Sequence, residues 1–177
     1  ISISGRRKPV NQRLDFGDTC LVCEKSLAGS GYFKQYHVCE NCNFHYTMDA
    51  RQRINWIADP ETFQESDKLV YSTDPLEFKT RLTYKTKLSG DSERTGLTEA
   101  AVTGICEIGG VPAQLIVLDF GFMGGSMGCV VGEKVALALE RSYKKKIACV
   151  AIVTSGGTRF QEGVLSLMQM AKTVTVA

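Results

Sequence analysis

Four cysteines near the start of the chain constrain its fold more than any other feature. They form two CxxC pairs separated by fifteen residues, Cys20 with Cys23 and Cys39 with Cys42. Each pair presents two thiolates to one ion, and a hairpin between the pairs completes a tetrahedral zinc site. Zinc binding then replaces the hydrophobic core that so short a segment cannot build. The pattern predicts a structural zinc ribbon over residues 19–45.

Two redox-active dithiols are the alternative interpretation of these cysteines. Neither CxxC motif has the βαβ setting typical of that chemistry, and the N-terminus lacks the apolar region of a secretory signal. A reducing compartment is therefore expected, where metal binding is favoured over disulfides. His37 and His45 are expected to pack or hydrogen-bond beside the second pair. Cys106, Cys129 and Cys149 are expected to be buried, with a reactive thiol at Cys129 as the alternative.

The segments on either side of the ribbon are polar. Residues 1–18 are basic and without periodicity, which predicts a flexible arm. Residues 46–95 predict a connector of loops with two helical pieces, of which residues 59–95 are expected to be a connecting region and not part of a core. The first piece is expected over residues 47–58, with Thr47 as its N-cap, and the second around residues 79–88.

From residue 96 the pattern changes to strands and amphipathic helices. The runs "AAVTGICEI" and "AQLIVLDF" flank a glycine-containing turn, which indicates a hairpin. A helix with a cationic last turn follows, then the wholly apolar run "IACVAIV", typical of a strand covered on both faces, and then a second helix. The chain is 44% hydrophobic, which is enough to form a core. The order predicts an α/β domain over residues 96–177.

Two glycine pairs lie where a strand of this domain passes into a helix. They occur in "LDFGFMGGSMG" (118–128) and "VTSGGTRFQEG" (153–163). Glycine permits close backbone approach, and the first turn of a helix offers unpaired N–H groups. Neither segment matches GxGxxG, a P-loop or GxSxG. The pattern predicts main-chain donors for a negatively charged oxygen, and the alternative is that the glycines serve only tight turns.

Several motifs resemble the β-subunit family of the multisubunit acetyl-CoA carboxylase carboxyltransferase, and they occur in that family's order. After the four-cysteine ribbon come "DPLEF", "RTGLTEA", "FMGGSMGCVVGEK", "SGGTRFQEG" and "LSLMQMAK". The resemblance extends from about residue 19 to residue 172, and the plastid and cyanobacterial branch is the most similar. It implies a crotonase-like spiral of ββα turns, of which this chain would hold the first part. It also implies a location in the plastid stroma or the bacterial cytoplasm.

The resemblance implies an activity and a set of partners. Members of that family transfer a carboxyl group from carboxybiotin to acetyl-CoA, giving malonyl-CoA for fatty acid synthesis. The implied partners are the carboxyltransferase α subunit, the biotin carboxyl carrier protein and biotin carboxylase, which together form an ATP-binding complex. Biotin would be carried on a partner protein, and the α subunit would supply the biotin half of the site.

The resemblance also implies roles for single residues. The amides of Gly156 and Gly157 would stabilise a thioester enolate, with no side-chain base. Gly124 and Gly125 would shape the neighbouring wall or supply a second donor. Arg159 would bind an anionic group of the substrate or, alternatively, anchor the loop. The chain departs from the family at three positions, with Thr158, Phe160 and Cys129 in place of Ala, Met and Ser.

The remaining carboxylates and basic residues support weaker expectations. Three carboxylates are expected to be helix caps or surface groups: Asp119, Glu133 and Glu162. The alternative function is a non-catalytic zinc-ribbon module that binds nucleic acid. Basic residues interleaved with aromatics support it, at residues 5–8, Lys25, Tyr32, Phe33, Lys34 and Tyr36. The net charge of +2 favours neither function. No apolar run approaches the ~20 residues of a membrane span.

Overall fold

The computed structural model describes residues 17–177. Most of the predicted arm at residues 1–18, including the basic stretch 5–8, lies outside the described residues. The elements are α1 (Gly31–Tyr36), α2 (Ala50–Ile57), β1 (Gln64–Ser66), α3 (Tyr84–Thr95), β2 (Ala101–Ile108), β3 (Val111–Leu118), α4 (Cys129–Lys145), β4 (Ala148–Ile152) and α5 (Val164–Val176). In this part of the chain, no helix is both long and apolar enough to span a membrane.

A mixed sheet of four strands in the order β1-β2-β3-β4 forms the centre of the domain that follows the ribbon. β2 and β3 are the predicted hairpin, with Ile108 opposite Val111. Gly109 and Gly110 form its turn with φ of +60° and +76°, as a two-residue hairpin turn requires. β4 pairs with β3 in parallel, so α4 is the crossover between them.

Part of the predicted connector belongs to the core. β1 adds an antiparallel edge to β2, and a Cβ at Gly104 would lie 2.5 Å from the Gln64 carbonyl oxygen, so glycine is what allows the strands to meet. Ala50 and Ile54 of α2 are buried in the main apolar cluster, and Tyr84 is 1% exposed. The expectation that residues 59–95 form a connecting region and not part of a core is therefore wrong for Tyr84. The domain boundaries themselves stay predictions.

Two helices begin later than expected because of their caps. The carboxylate of Asp49 accepts a hydrogen bond from the Gln52 N–H at 2.8 Å, so Asp49, and not Thr47, is the N-cap of α2. The Thr83 hydroxyl caps α3 in the same way, so that helix begins at Tyr84 and not near residue 79. α3 then extends past residue 88 to its left-handed C-cap glycine.

The strand order places the two glycine pairs together. β3 and β4 are parallel neighbours, so their carboxyl ends lie at the same edge of the sheet. The segment with Gly124 and Gly125 follows β3, and the segment with Gly156 and Gly157 follows β4. α4 packs on β2 and β3, and α5 packs on α4. The sheet and these helices therefore form the support for both glycine segments.

Candidate functional site

The two glycine segments are joined to each other by main-chain hydrogen bonds. The Gly156 N–H donates to the Gly124 carbonyl at 2.8 Å. Further along, the Met127 N–H donates to the Gly157 carbonyl at 2.9 Å, and the Arg159 N–H donates to the Met127 carbonyl at 2.9 Å. We call 118–128 the first glycine loop and 153–163 the second. Motifs about thirty residues apart in the sequence therefore form one structure.

Gly125 lies where the loops approach most closely. A Cβ at this position would overlap the Thr154 carbonyl oxygen, and its φ is +64°. Its N–H donates to the Phe122 carbonyl at 2.9 Å. Glycine is thus required here by the contact between the loops as well as by the turn. This geometry supports the wall-forming role for Gly125 over the role of a second donor.

The amides of the second glycine loop differ in their availability to a ligand. The Gly156 N–H already donates to the Gly124 carbonyl of the first loop. A ligand could accept from it only if the two backbones moved apart. The Gly157 N–H meets the hydroxyl of Ser155 at 3.1 Å, on the exposed side of the loop. A hydroxyl can rotate away and yield the amide to another acceptor. Of the two glycines with a predicted catalytic role, Gly157 has the amide that a ligand can reach.

Arg159 is directed into the protein, away from the exposed face of the loop. The residue is 1% exposed, and its guanidinium forms a bidentate pair with Glu99 at 2.8 Å and 2.6 Å. Burial alone would lower the Arg159 pKa, but the hydrogen bonds and charge of Glu99 raise it above its usual value, so the group stays protonated. The structure favours the anchoring alternative for Arg159 over direct binding of substrate.

Glu162 caps α4 from the second glycine loop. Its Oε2 accepts from the Cys129 N–H at 2.5 Å, and its Oε1 accepts from the Tyr84 hydroxyl at 2.5 Å. Burial opposes the charge, yet these donors hold the Glu162 pKa below its usual value. Burial and the nearby carboxylate raise the pKa of the Cys129 thiol to about 11. The thiolate needed for a reactive cysteine is therefore disfavoured at neutral pH.

The other two carboxylates behave as expected. Asp119 accepts hydrogen bonds from the Ala50 N–H and the Gly121 N–H, both at 2.7 Å, and so caps the start of α2 from the end of β3. Glu133 pairs with Lys172 on the half-exposed surface between α4 and α5. Asp119 thus links the predicted connector to the first glycine loop, and Glu133 links α4 to α5.

The four N-terminal cysteines converge as the spacing predicts. Their ligand atoms all lie within 4.8 Å of one another, with Sγ–Sγ distances of 3.6 Å between Cys20 and Cys42 and 3.7 Å between Cys23 and Cys39. Sulfurs bound at ~2.3 Å to a tetrahedral zinc would lie about 3.8 Å apart. The arrangement is therefore compatible with a zinc ion, and all four thiols would be its ligands.

Groups around the cysteines hold this arrangement without competing for the metal. The Asn41 side chain donates to the Cys23 sulfur at 3.2 Å. His37 Nδ1 lies 2.8 Å from the Thr47 carbonyl oxygen, and the backbone of His45 pairs with Val38. Both histidines therefore support the ribbon, as expected, and leave the four thiols as the ligand set.

Sequence reasoning missed the partners of Arg159. Glu99 lies within the quoted motif "RTGLTEA", but nothing local distinguishes its carboxylate from an exposed one. The hydroxyls of Ser72 and Tyr84 also accept hydrogen bonds from Arg159 Nη1, and both residues come from the predicted connector. These contacts span 60 or more residues, so only the folded chain shows them.

A family model described as the carboxyl transferase domain matches residues 48–176. The acetyl-coenzyme A carboxylase carboxyl transferase subunit beta of Prochlorococcus marinus (strain MIT 9215) is 42% identical over 167 residues, which is 92% of this chain and 57% of that protein. The protein of the same name from Synechococcus sp. (strain CC9311) is 43% identical over the same shares. This chain thus spans little more than half the length of these curated relatives.

Solved structures show the same architecture. Transcarboxylase 12S with methylmalonyl-coenzyme A and methylmalonic acid bound has a TM-score of 0.60 at 27% identity, covering 73% of this chain and 23% of that one. A Pseudomonas malonate decarboxylase hetero-tetramer in complex with malonate has a TM-score of 0.54 at 27% identity, covering 73% and 45%. The predicted α/β, crotonase-like fold is confirmed. The chain therefore belongs to the carboxyl transferase family.

Proposed function

We propose that this chain belongs to the β subunit of an acetyl-CoA carboxylase carboxyltransferase. The reaction is transfer of the carboxyl group from carboxybiotin to acetyl-CoA, which gives malonyl-CoA for fatty acid synthesis. Relatives of that name at 42% and 43% identity support the assignment. The observation that carries it is the Gly157 N–H, which meets only the Ser155 hydroxyl on the exposed side of the loop, whereas the Gly156 N–H is bound to the Gly124 carbonyl.

The chemistry requires a donor at one developing negative charge. Loss of a proton from the acetyl methyl group gives an enolate whose charge lies on the thioester oxygen. A fixed N–H at that oxygen stabilises the transition state, and removing one such donor typically costs ~2.7–4 kcal/mol. We assign this N–H to Gly157. Gly156, Gly124 and Gly125 hold the loops together, so the donor does not reorganise during the reaction.

The remaining chemistry is assigned to partners. Carboxybiotin, carried on a biotin carboxyl carrier protein, supplies the carboxyl group and a ureido nitrogen that can accept the methyl proton. A base on this chain is then unnecessary, and the ionic side chains of the second glycine loop, Arg159 and Glu162, are buried in its anchor. The α subunit would complete the site, and biotin carboxylase would recharge the carrier. Zinc would stabilise the ribbon, and the complex would work in the plastid stroma or bacterial cytoplasm.

The test is reconstitution of the full-length subunit with the α subunit and carboxybiotin. Gly157→Ala forces a side chain onto a residue with φ of +115° and displaces its amide, so kcat for malonyl-CoA should fall by about 10²–10³. Gly110→Ala is the matched control, because that glycine is also exposed and has φ of +76°. Equal rates for the two variants would exclude Gly157 as the donor. Failure of the wild-type complex to form malonyl-CoA would reject the function itself.

The nucleic-acid-binding alternative has less support. The basic stretch at residues 5–8 lies outside the described residues, and Lys25 donates to Asn41 at 2.9 Å. Tyr36 packs its ring 4.6 Å from both Tyr32 and Trp56, so these aromatics contact one another. They join the ribbon to α2 but remain 38–44% exposed, so the rings do not decide between the two functions, and the named relatives support only the carboxyltransferase. We therefore propose the carboxyltransferase alone.

A further inference from the structure

We infer that Arg159 is a positioning residue: its buried guanidinium holds the two glycine loops in register and thereby fixes the direction of the Gly157 N–H. The role of that N–H rests on the proposed function. The set of hydrogen bonds by which Arg159 holds the two glycine loops, which we call the clamp, does not depend on that function. Arg159 lies two residues after Gly157, so movement of its side chain is passed directly to the amide.

Arg159 attaches to the first glycine loop through both its main chain and its side chain. Its Nη2 donates to the Ser126 carbonyl at 2.9 Å, and its Nε donates to the Ser126 hydroxyl at 3.1 Å. Its backbone N–H donates to the carbonyl of Met127, the residue after Ser126, at 2.9 Å. Three donors of one residue therefore bind two consecutive residues of the opposite loop, which leaves little freedom for sliding.

The clamp extends to the starts of two helices. Nη1 of Arg159 donates to the Tyr84 hydroxyl at 3.1 Å, where α3 begins. Burial raises the pKa of Tyr84, so its hydroxyl keeps its proton and donates to Glu162. Glu162 in turn accepts from the Cys129 N–H at the start of α4. The second glycine loop is thus connected to the sheet domain and to the predicted connector by one continuous network.

A lysine could not replace this arginine. The side chains of Arg159 and Glu99 are both 0% exposed, so each charge depends on the other for compensation. The planar guanidinium binds both Glu99 oxygens and still directs donors at Ser126 and Tyr84. An ammonium group is a compact charge without this fork, so it cannot make the bidentate pair and reach the first loop together.

The experiment compares Arg159→Lys with Arg141→Lys in the full-length subunit. Arg141 is a matched control because its Nη2 also binds both oxygens of a carboxylate, at 2.9 Å each to Asp67, and no bond of the clamp involves it. Two quantities are measured: amide hydrogen exchange along the chain, and kcat and KM for acetyl-CoA in the reconstituted complex.

The clamp predicts a local effect from Arg159→Lys alone. Exchange should rise at least about tenfold in residues 124–128 and 154–160, while β2 and β3 keep wild-type protection. A misplaced donor should lower kcat by about 10²-fold. The KM for acetyl-CoA should stay within about twofold, because the lost interaction belongs to the transition state. Arg141→Lys should change neither quantity in these segments.

Two results would overturn the inference. One is equal exchange in the two loops for Arg159→Lys and Arg141→Lys. The other is a uniform rise that includes β2 and β3, which would mean general destabilisation. Ser126→Ala removes one hydroxyl and no charge, so it tests the clamp even if Arg159→Lys does not fold. It should raise exchange in the same two segments, and an unchanged pattern would reject the clamp. The exchange result stands whether or not the wild-type complex makes malonyl-CoA, so failure of the clamp and failure of the proposed function are distinguishable.

Discussion

The carbonyl oxygen of Thr154 occupies the space into which a side chain on Gly125 would extend. This contact joins Thr154, the second residue after β4, to the 3-10 turn at Met123–Gly125. Because both partners are main-chain atoms, neither can move without displacing its loop. The contact therefore sets how closely the two glycine loops approach.

Gly125→Ala should lower the free energy of unfolding by more than the cost of placing an alanine at a left-handed φ. A left-handed φ costs a non-glycine residue ~1–2 kcal/mol, and the overlap with the Thr154 oxygen adds to this. Gly109→Ala isolates the first cost, since Gly109 has φ of +60°, close to the +64° of Gly125, and open space around it. Urea unfolding of both variants measures the difference. Equal losses of free energy of unfolding would show that the loops tolerate separation.

Glu162 should make stability depend on pH in the acidic range. Its pKa in the folded state is lowered from the usual 4.5, so the carboxylate stabilises the fold above that value and the stabilisation disappears as pH falls through the folded-state pKa. Glu162→Gln keeps the shape but leaves one neutral oxygen acceptor where Cys129 N–H and the Tyr84 hydroxyl each had a carboxylate oxygen. It should cost about 1.5–3 kcal/mol at pH 7, as for hydrogen bonds to charged groups.

The measurement for Glu162 is urea unfolding of wild type and Glu162→Gln at pH 7 and at a pH below the usual pKa values of carboxyl groups. The difference between the two proteins should shrink toward low pH. Glu107→Gln serves as the control, because Glu107 is an exposed carboxylate on the same domain and should show little difference at either pH. A difference for Glu162→Gln that is independent of pH would mean that the carboxylate is not charged in its native contacts.

Local patterns in the sequence carried the prediction of the hairpin, the helices after each glycine pair and the convergence of four cysteines. Each depends on residues close in sequence or on a fixed metal geometry. β1 could not be found this way, because "QES" has no strand signal and its pairing depends on the absence of a side chain at Gly104. The strand exists because of a partner about forty residues later.

Contacts between residues far apart in the sequence also limited what could be predicted of the candidate site. Glycine pairs at strand ends predict available amides, but they do not show which amides the chain itself uses. The Gly156 N–H is bound to the Gly124 carbonyl, a contact that appears only when the loops meet. Likewise the sequence left open whether Arg159 binds an anionic group or anchors its loop, and it did not identify the partner, Glu99, which lies 60 residues away. Long-range pairing of polar groups is what the sequence did not reveal.

Cys39→Ser should abolish zinc binding and unfold the ribbon, while Cys106→Ser should do neither. The two cysteines are equally buried, at 2% exposure, but Cys39 lies with the other predicted ligands and Cys106 lies in the main core. The described ribbon has only a small buried cluster, Cys20, Leu27 and Cys39, so losing the metal removes most of its stabilisation. Metal analysis by mass spectrometry should find one zinc per chain in wild type and Cys106→Ser and none in Cys39→Ser. Hydrogen exchange should rise over residues 19–45 in Cys39→Ser, whereas β2 and β3 stay protected. Zinc retained at full occupancy in Cys39→Ser would contradict the four-thiolate site.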